Sequence, residues 1–270
     1  MAVKLALDDA PPLLFLGLRF AIAASLSALC LRRRPKLRAS LIRGAPLGLL
    51  LSLAYAAQTI GLVTTTPARS GFITGLNVIL IPFWGAWILH QRPGLFPLLG
   101  LLLVIPGMWL LTSPGTGSWV IGDSFTLVCA FLFALHVVML TRLGRKYDVI
   151  GLLFAQLSVT AVLALVASLV LEAPVLRWSG QLVIALALTG VLASFVTTFL
   201  QLRLQPMVSS ARTALIFATE PLFAALASGL VIGERLGVKG WIGGGIILIG
   251  MIVSEAKVLV PNRSGREPME

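Results

Sequence analysis

The sequence predicts an all-α polytopic membrane protein built from two inverted five-helix repeats, and three observations carry the prediction. The chain of 270 residues is 58% hydrophobic and 11% charged, whereas about 25% of the residues of an average soluble domain are charged. No charge occurs in residues 44–68, 70–91, 93–122, 149–171 or 178–202. Each of these stretches approaches or exceeds the roughly 20 apolar residues with which a helix spans a bilayer. The third observation is an internal repeat, described below.

Charges and turn-forming residues divide the chain into nine predicted helices, because QRPG, TTTPARS and TSPGTGSWVIGD have turn chemistry. A membrane barrel would instead show alternating segments of about 10 residues, and these runs do not alternate. The helices are predicted at Pro11–Leu31, Ala45–Val63, Gly71–His90, Leu95–Thr112, Trp119–Thr141, Val149–Leu171, Leu182–Leu202, Ser210–Ile232 and Val238–Glu255.

The basic residues of the loops set the predicted orientation. Residues 32–43 hold six Lys and Arg, which places this loop in the cytoplasm by the positive-inside rule. Alternation then puts Arg92, the loop around residue 145 and the C-terminus on the same side. We therefore expect a multi-pass protein of the cytoplasmic membrane. The net charge of +11 follows from these loops, so it does not indicate a nucleic-acid-binding surface.

The internal repeat aligns Ser52–Leu110 with Phe195–Val253 at a constant offset of 143 residues. The matches fall at turns, polar positions and glycines: Gln58 with Gln201, Arg69 with Arg212, Arg92 with Arg235, Gly100 with Gly243 and Gly107 with Gly250. The loop HQRPG is predicted inside and its counterpart GERLG outside, so the halves are inverted. Inverted repeats are typical of secondary transporters, which bind substrate near the membrane midplane.

The halves differ in length. The second has five predicted helices, whereas the first has four and the short segment MAVKLAL, so the chain is expected to begin inside its own first helix. About 18 residues would be missing from a full span of roughly 20, which leaves nine visible helices of a ten-helix plan. The predicted units are a truncated first repeat (residues 1–114), a second repeat (119–256) and a polar cytoplasmic tail (257–270).

Several motifs resemble the EamA-type members of the drug/metabolite transporter superfamily. They are LLFLGLRF around Arg19, AYAAQTIGL (Ala54–Leu62), ARSGFITGL (Ala68–Leu76), and ARTALIFATEPLFAAL followed by GERLG. The resemblance implies a ten-helix transporter with both termini inside, and no particular substrate. The chain departs from the pattern in its nearly absent first helix and in Gln91, where the second half has Glu234.

The candidate site residues are polar side chains inside predicted spans, because a charge at the helix centre costs about 2.5–3.5 kcal/mol. Glu220 lies about 15 Å into its helix at 1.5 Å per residue, before a proline that removes a backbone hydrogen bond. It is either a proton or cation site or an interhelical hydrogen-bonding group. Arg19 either meets an anionic substrate or pairs with a carboxylate such as Asp8, Asp9 or Glu220.

Further candidates are uncharged side chains whose roles stay open between cavity lining and packing. They are Gln58 and its repeat partner Gln201, Tyr55, Asn77 as the counterpart of Glu220, Gln156 as the counterpart of Arg19, His136 and Trp84. Cys30 and Cys129 have no metal-ligand spacing, so neither a metal nor another cofactor is expected.

These patterns favour a secondary transporter or exporter of a small metabolite or drug-like solute, working by alternating access in contact with membrane lipid. The glycine-rich spacings of the last two helices leave room for a homodimer. A non-transporting membrane subunit or a truncated relic is the alternative. An intramembrane enzyme is disfavoured, since no HExxH or GxSxG sequence occurs.

Overall fold

All regular structure in the described residues is helical, as the sequence predicts. The computed structural model describes residues 6–31, 36–112, 118–173, 175–223 and 237–259, without the side chains of residues 67 and 255–259. The helices are α1 (Pro12–Leu29), α2 (Leu37–Thr64), α3 (Pro67–Gly75), α4 (Asn77–Ile88), α5 (Leu95–Thr112), α6 (Ile121–Gly144), α7 (Val149–Leu171), α8 (Gly180–Ala187), α9 (Thr197–Leu204), α10 (Ser210–Ala218) and α11 (Val238–Leu259).

Seven helical spans in this part of the chain are long and apolar enough to cross a membrane. α11 contributes a shorter apolar helix, Val238–Ser254. Many large apolar side chains face outward, among them Leu102, Trp109 and Leu169. Such a surface suits hydrocarbon rather than water, and the chain is a polytopic all-α membrane protein.

The predicted boundaries hold best where a charged or proline-containing turn follows the span. α5 and α7 have the predicted ends. α2 begins at Leu37 rather than Ala45, because the helix continues into the basic segment. The predicted helix Gly71–His90 corresponds to the span Ala68–Ile88, which is kinked at Leu76, where α3 and α4 meet.

Two further predictions need revision. The predicted helix Leu182–Leu202 is interrupted by the π-helical segment Leu188–Val196, which joins α8 to α9. The predicted helix Ser210–Ile232 begins at Ser210, as α10 does, and turns at Thr219. The end of that prediction, and Glu234 beyond it, lie outside the described residues.

The two helix breaks occupy positions 143 residues apart, which is the offset of the sequence repeat. Leu76 has φ −62° and ψ −12°, and Thr219 has φ −81° and ψ −13°. The helices that lead to them also start alike. The Thr66 hydroxyl caps α3 by accepting from the Arg69 N–H, and the Ser209 hydroxyl caps α10 by accepting from the Arg212 N–H.

α5 and α11 cross through four glycines that are related by the same offset. A Cβ on Gly100 would lie 2.5 Å from the Gly250 carbonyl oxygen, and one on Gly107 would lie 2.9 Å from that of Gly243. In return, a Cβ on Gly243 would approach the Gly107 oxygen and one on Gly250 the Gly100 oxygen. Glycines at this spacing let two helix backbones come into contact.

α6 links two apolar cores. One core joins α4, α5, α10 and α11 and receives Val137 and Val138 from α6. The other joins α1, α2, α7 and α9 and receives Leu140 from α6. The polar side chains discussed next lie on α1, α2, α6, α7, α9 and the two broken helices.

Candidate functional site

Arg19 is the buried cation at the centre of the candidate site. Its side chain is 6% exposed, and its Nε donates to the Ser194 hydroxyl at 2.7 Å. Ser194 belongs to the π-helical segment, a distortion that often occurs at functional sites. No carboxylate in the described part of the chain forms an ion pair with Arg19. Among the described residues, the hydrogen-bond partner of the Arg19 Nε is therefore a hydroxyl rather than a carboxylate.

Aromatic rings surround the guanidinium. Its carbon lies 4.7 Å from the centroid of the Tyr55 ring and 5.2 Å from that of Phe20. Tyr55 in turn packs on Phe20 at 5.1 Å and edge-on against Phe133 at 4.8 Å. Stacking over such rings favours a cation by about 0.5–2 kcal/mol. Tyr55, a sequence candidate, thus lies beside Arg19.

Glu220 follows the break at Thr219 directly. Its side chain is exposed to solvent. The Tyr55 hydroxyl lies within electrostatic range of both Glu220 and Arg19. The Glu220 carboxylate makes no hydrogen bond or ion pair to the described residues. Tyr55 is therefore the shared neighbour of one buried positive charge and one negative charge.

Gln58 and Asn77 lie on the elements that lead away from Tyr55. Gln58 is half-buried one helical turn after Tyr55, and its Nε2 donates to the Thr74 hydroxyl at 3.3 Å. Thr74 stands two residues before the break at Leu76, and Asn77 begins α4 immediately after it. α2 and the first broken helix are thus joined by a polar contact close to the break.

Gln201 and Trp84 lie apart from this contact. Gln201 is half-buried on α9, without a side-chain hydrogen bond among the described residues. Trp84 packs against Trp87 at 5.5 Å and edge-on against Phe131 at 5.2 Å. Its ring therefore belongs to an aromatic cluster between α4 and α6.

His136 and Gln156 form a buried pair. The His136 Nε2 and the Gln156 Oε1 are 3.0 Å apart, and the side chains are 2% and 0% exposed. The Gln156 Nε2 has no partner in the described residues. This contact joins α6 to α7. It gives a partner to one ring nitrogen of His136, a residue whose role the sequence did not decide.

The backbones of Arg19 and Gln156 have matching environments. A Cβ on Gly48 would lie 2.7 Å from the Gln156 carbonyl oxygen, and one on Gly190 would lie 3.1 Å from the Arg19 oxygen. Gly48 and Gly190 are 142 residues apart rather than 143. The extra residue falls in the π-helical segment, because a π turn accommodates one more residue than an α turn.

Sequence reasoning missed the buried acid Asp123. Its side chain is 0% exposed and pairs with Arg69 at 2.9 Å. It also accepts from the Thr65 hydroxyl at 2.7 Å and from the Val120 N–H at 2.9 Å. We call Thr65, Arg69 and Asp123 the acidic clasp. The only sequence signal was an acid at the third position of a helix, where carboxylates bind free N–H groups.

Neutral groups close the opposite end of the bundle. The Gln91 Oε1 accepts from the Ser210 N–H at 3.0 Å and from its hydroxyl at 2.8 Å. We call Gln91 and Ser210 the amide clasp. The Gln205 Nε2 nearby donates to the Val137 carbonyl at 2.6 Å. No sequence pattern marked Gln205, because its repeat partner is Leu62.

Comparisons with known proteins bear on the whole chain. The profile of the EamA-like transporter family matches residues 1–113 and again residues 120–255. An uncharacterized transporter of Archaeoglobus fulgidus is 30% identical over 260 residues, which cover 95% of this chain and 80% of that protein. The uncharacterized transporter YvbV of Bacillus subtilis is 26% identical over 97% of this chain and 86% of its own length.

A solved crystal structure has a similar fold. It superposes with a TM-score of 0.78 at 18% identity, covering 93% of this chain and 90% of that one. At this identity the likeness concerns the fold alone.

Proposed function

This chain belongs to the EamA-like transporter family, and on that premise we propose that it carries a small solute across the cytoplasmic membrane by alternating access. The observation that carries the proposal is the pair of equivalent helix breaks at Leu76 and Thr219, one of them followed by an acid. Each break is a kink, in which the N–H of Leu76 donates to the Ile73 carbonyl and that of Thr219 to the Ile216 carbonyl. Irregular helices are typical of the midplane binding region of secondary transporters.

The close approach of equivalent glycines supports two inverted halves that move against each other. A contact in which Gly100 meets Gly250 while Gly107 meets Gly243 is the arrangement that a local twofold axis produces. An axis in the membrane plane relates inverted repeats. We propose residues 1–114 and 119–256 as these halves, with α5 and α11 as the surface between them.

Glu220 is the proposed coupling residue. Its carboxylate has no partner in the described residues, whereas its counterpart Asn77 cannot change charge. An acid in a membrane span that lacks a partner is a functional candidate by default. Glu220 would bind a proton in one part of the cycle and release it in another, coupling solute movement to an ion gradient.

The loop charges support an orientation with the amide clasp inside and the acidic clasp outside. The two clasps would then be the inner and outer gates. Opening the outer gate would separate Arg69 from Asp123, and opening the inner gate would release Ser210 from Gln91. The C-terminus is placed in the cytoplasm by the same rule.

The test begins with purified protein in detergent and a thermal-stability screen against pools of metabolites. A stabilising solute is then followed in proteoliposomes, with flux measured in both directions at pH 6 and pH 8. We expect wild-type flux to depend on the pH gradient. Glu220→Gln should insert normally and lose this dependence, since glutamine cannot exchange a proton.

Asp8→Asn is the matched control, because Asp8 is an exposed carboxylate outside α1. It should keep the wild-type rate and pH dependence. Wild-type rate and pH dependence in Glu220→Gln would refute the coupling role. Failure of every stabilising solute to cross the wild-type proteoliposomes would refute transport itself.

A further inference from the structure

Arg19 has a buried positive charge without a buried counter-charge among the described residues, and this imbalance points to a ligand. We propose that Arg19 binds the carboxylate group of the transported solute, which makes that solute a small organic anion or a zwitterion. That this solute is transported rests on the proposed function, whereas binding of a carboxylate at Arg19 does not depend on transport. Neither the family nor its relatives assign a substrate to this chain.

The other acids whose side chains are described do not pair with Arg19, and most of them have other partners. Asp123 pairs with Arg69. Glu172 accepts from the N–H groups of Leu13 and Leu14 at the start of α1, at 2.8 and 3.0 Å. Further members of the described acids cap helices or lie at their ends: Asp8, Asp9 and Asp148.

An unpaired buried charge carries a desolvation cost of several kcal/mol, which a well-placed counter-ion offsets. Glu220 is the remaining acid whose side chain is described, and it forms no ion pair with Arg19. It acts on the same Tyr55 hydroxyl as Arg19 does. Arg19 is therefore placed to receive an anion from outside the chain, next to an acid that can gain or lose a proton.

The contacts of Arg19 leave N–H donors of its guanidinium that no described carboxylate uses. Guanidinium has five N–H donors, and the Nε donor is committed to Ser194. The Tyr55 side chain is the other polar neighbour of the guanidinium among the described residues, and no described carboxylate pairs with the Nη nitrogens. Two parallel Nη donors match the two oxygens of a carboxylate.

The surroundings favour a carboxylate over a doubly charged phosphate. Arg19 supplies one positive charge, and the Tyr55 and Phe20 rings lie against it. A monoanion leaves the pair neutral, whereas a dianion would bring an uncompensated charge into an aromatic setting. The same rings would pack against an apolar or aromatic body of the solute.

Matched pairs of probes test the inference in the full-length protein in detergent. The probes are acetate with acetamide, butyrate with butyramide, and benzoate with benzamide, at ionic strength held constant with sodium chloride. Each amide keeps the shape of its acid and lacks the charge. We expect at least one carboxylate to raise the melting temperature of the wild type with saturation, and its amide to have no such effect.

Arg19→Gln should raise the half-saturating concentration of that carboxylate by about tenfold or more, because a bidentate charged partner is lost. Arg19→Lys keeps the charge without the fork and should lie between wild type and Arg19→Gln. Ser194→Ala keeps the guanidinium and removes only the bond that orients it, so it should weaken binding less than Arg19→Gln. Arg203→Gln, at an exposed arginine of α9, should bind as the wild type does.

The inference is overturned if none of the three carboxylates gives a saturable shift in the wild type. It is equally overturned if Arg19→Gln and Ser194→Ala both keep the wild-type half-saturating concentration. Stabilisation and transport of neutral or cationic solutes alone would overturn the carboxylate site while leaving the transporter proposal intact. Carboxylate binding at Arg19 without any flux would uphold the site and refute transport.

Discussion

The breaks at Leu76 and Thr219 have nearly the same backbone and opposite chemical character. Each follows a nine-residue helix, Pro67–Gly75 or Ser210–Ala218, that begins with a hydroxyl cap. After the first break stands the neutral Asn77, and after the second the acid Glu220. Shape has been kept in both halves, while the ionisable group is found in one of them.

The two clasps also differ in charge. The first half meets α6 through the buried ion pair of Arg69 and Asp123. The opposite end closes through the neutral amide of Gln91 on Ser210. The charged groups therefore lie at two places: at the acidic clasp, where Arg69 meets Asp123, and at the break of the second half, which Glu220 follows. In the proposed cycle the ion pair of the acidic clasp would hold helices together and Glu220 would exchange protons, and four experiments test this difference.

The largest expected effect separates Glu220 from Asn77. In Glu220→Gln, pH-driven flux should fall by roughly 100-fold, since glutamine cannot take up and release the coupling proton. Asn77→Ala removes the matching side chain without a change in charge, and flux should fall by less than about tenfold. Flux in proteoliposomes at two pH values measures both. Equal losses in the two variants would contradict the asymmetry.

The second experiment weakens the acidic clasp. Asp123→Asn should cost roughly 3 kcal/mol, near the lower limit for breaking a buried pair, because the Arg69 side chain is 17% exposed and keeps some solvation. Thermal unfolding in detergent measures the loss. Gln91→Ala at the amide clasp should cost only about 1 kcal/mol, the net value of ordinary hydrogen bonds.

A double variant distinguishes loss of the pair from loss of shape. Arg69→Met with Asp123→Leu replaces both charges by apolar groups, and it should recover most of the lost stability, as buried pairs exchanged together often do. If Asp123→Asn unfolds at the wild-type temperature, the clasp does not hold the helices together.

The sequence anticipates the features of this fold that depend on charge and turns. Arg92 and Pro93 in QRPG locate the start of α5, and Asp148 caps α7 at Gly151. The break at Thr219 also has a sequence cause, since Pro221 has no N–H to donate. The break at Leu76 has none, and Pro82 lies inside α4 without ending it. Tertiary packing decides such positions.

The sequence predicts the charged residues of the candidate site but not the residues that contact them. Arg19 and Glu220 stand out because charges are rare in apolar spans. Ser194 does not, because a serine in an apolar span is unremarkable until the π-helical turn brings it to Arg19. Asp123 looks like a solvated helix cap in the sequence. Its burial depends on Arg69 and Thr65, which lie more than fifty residues away.

The third experiment tests the similarity of the halves at the glycine crossing. Gly100→Ala and Gly243→Ala should cost similar amounts, about 1–3 kcal/mol each, as expected for overpacking. In both cases the new Cβ would stand 2.5 Å from a carbonyl oxygen of the other helix. Thermal unfolding compares them with Gly245→Ala, whose Cβ would meet nothing. That control should be neutral or stabilising by up to about 1 kcal/mol.

The smallest effect compares the two hydroxyl caps. Thr66→Ala removes the acceptor for the Arg69 N–H, and Ser209→Ala removes that for the Arg212 N–H. Both caps are exposed, so each loss should be about 1 kcal/mol, typical of a cap. If each cap stabilises its own helix to the same extent and does not affect the acidic clasp, the two variants will have equal unfolding temperatures. A loss confined to Thr66→Ala would show instead that the acidic clasp depends on its cap, because Arg69 belongs to both.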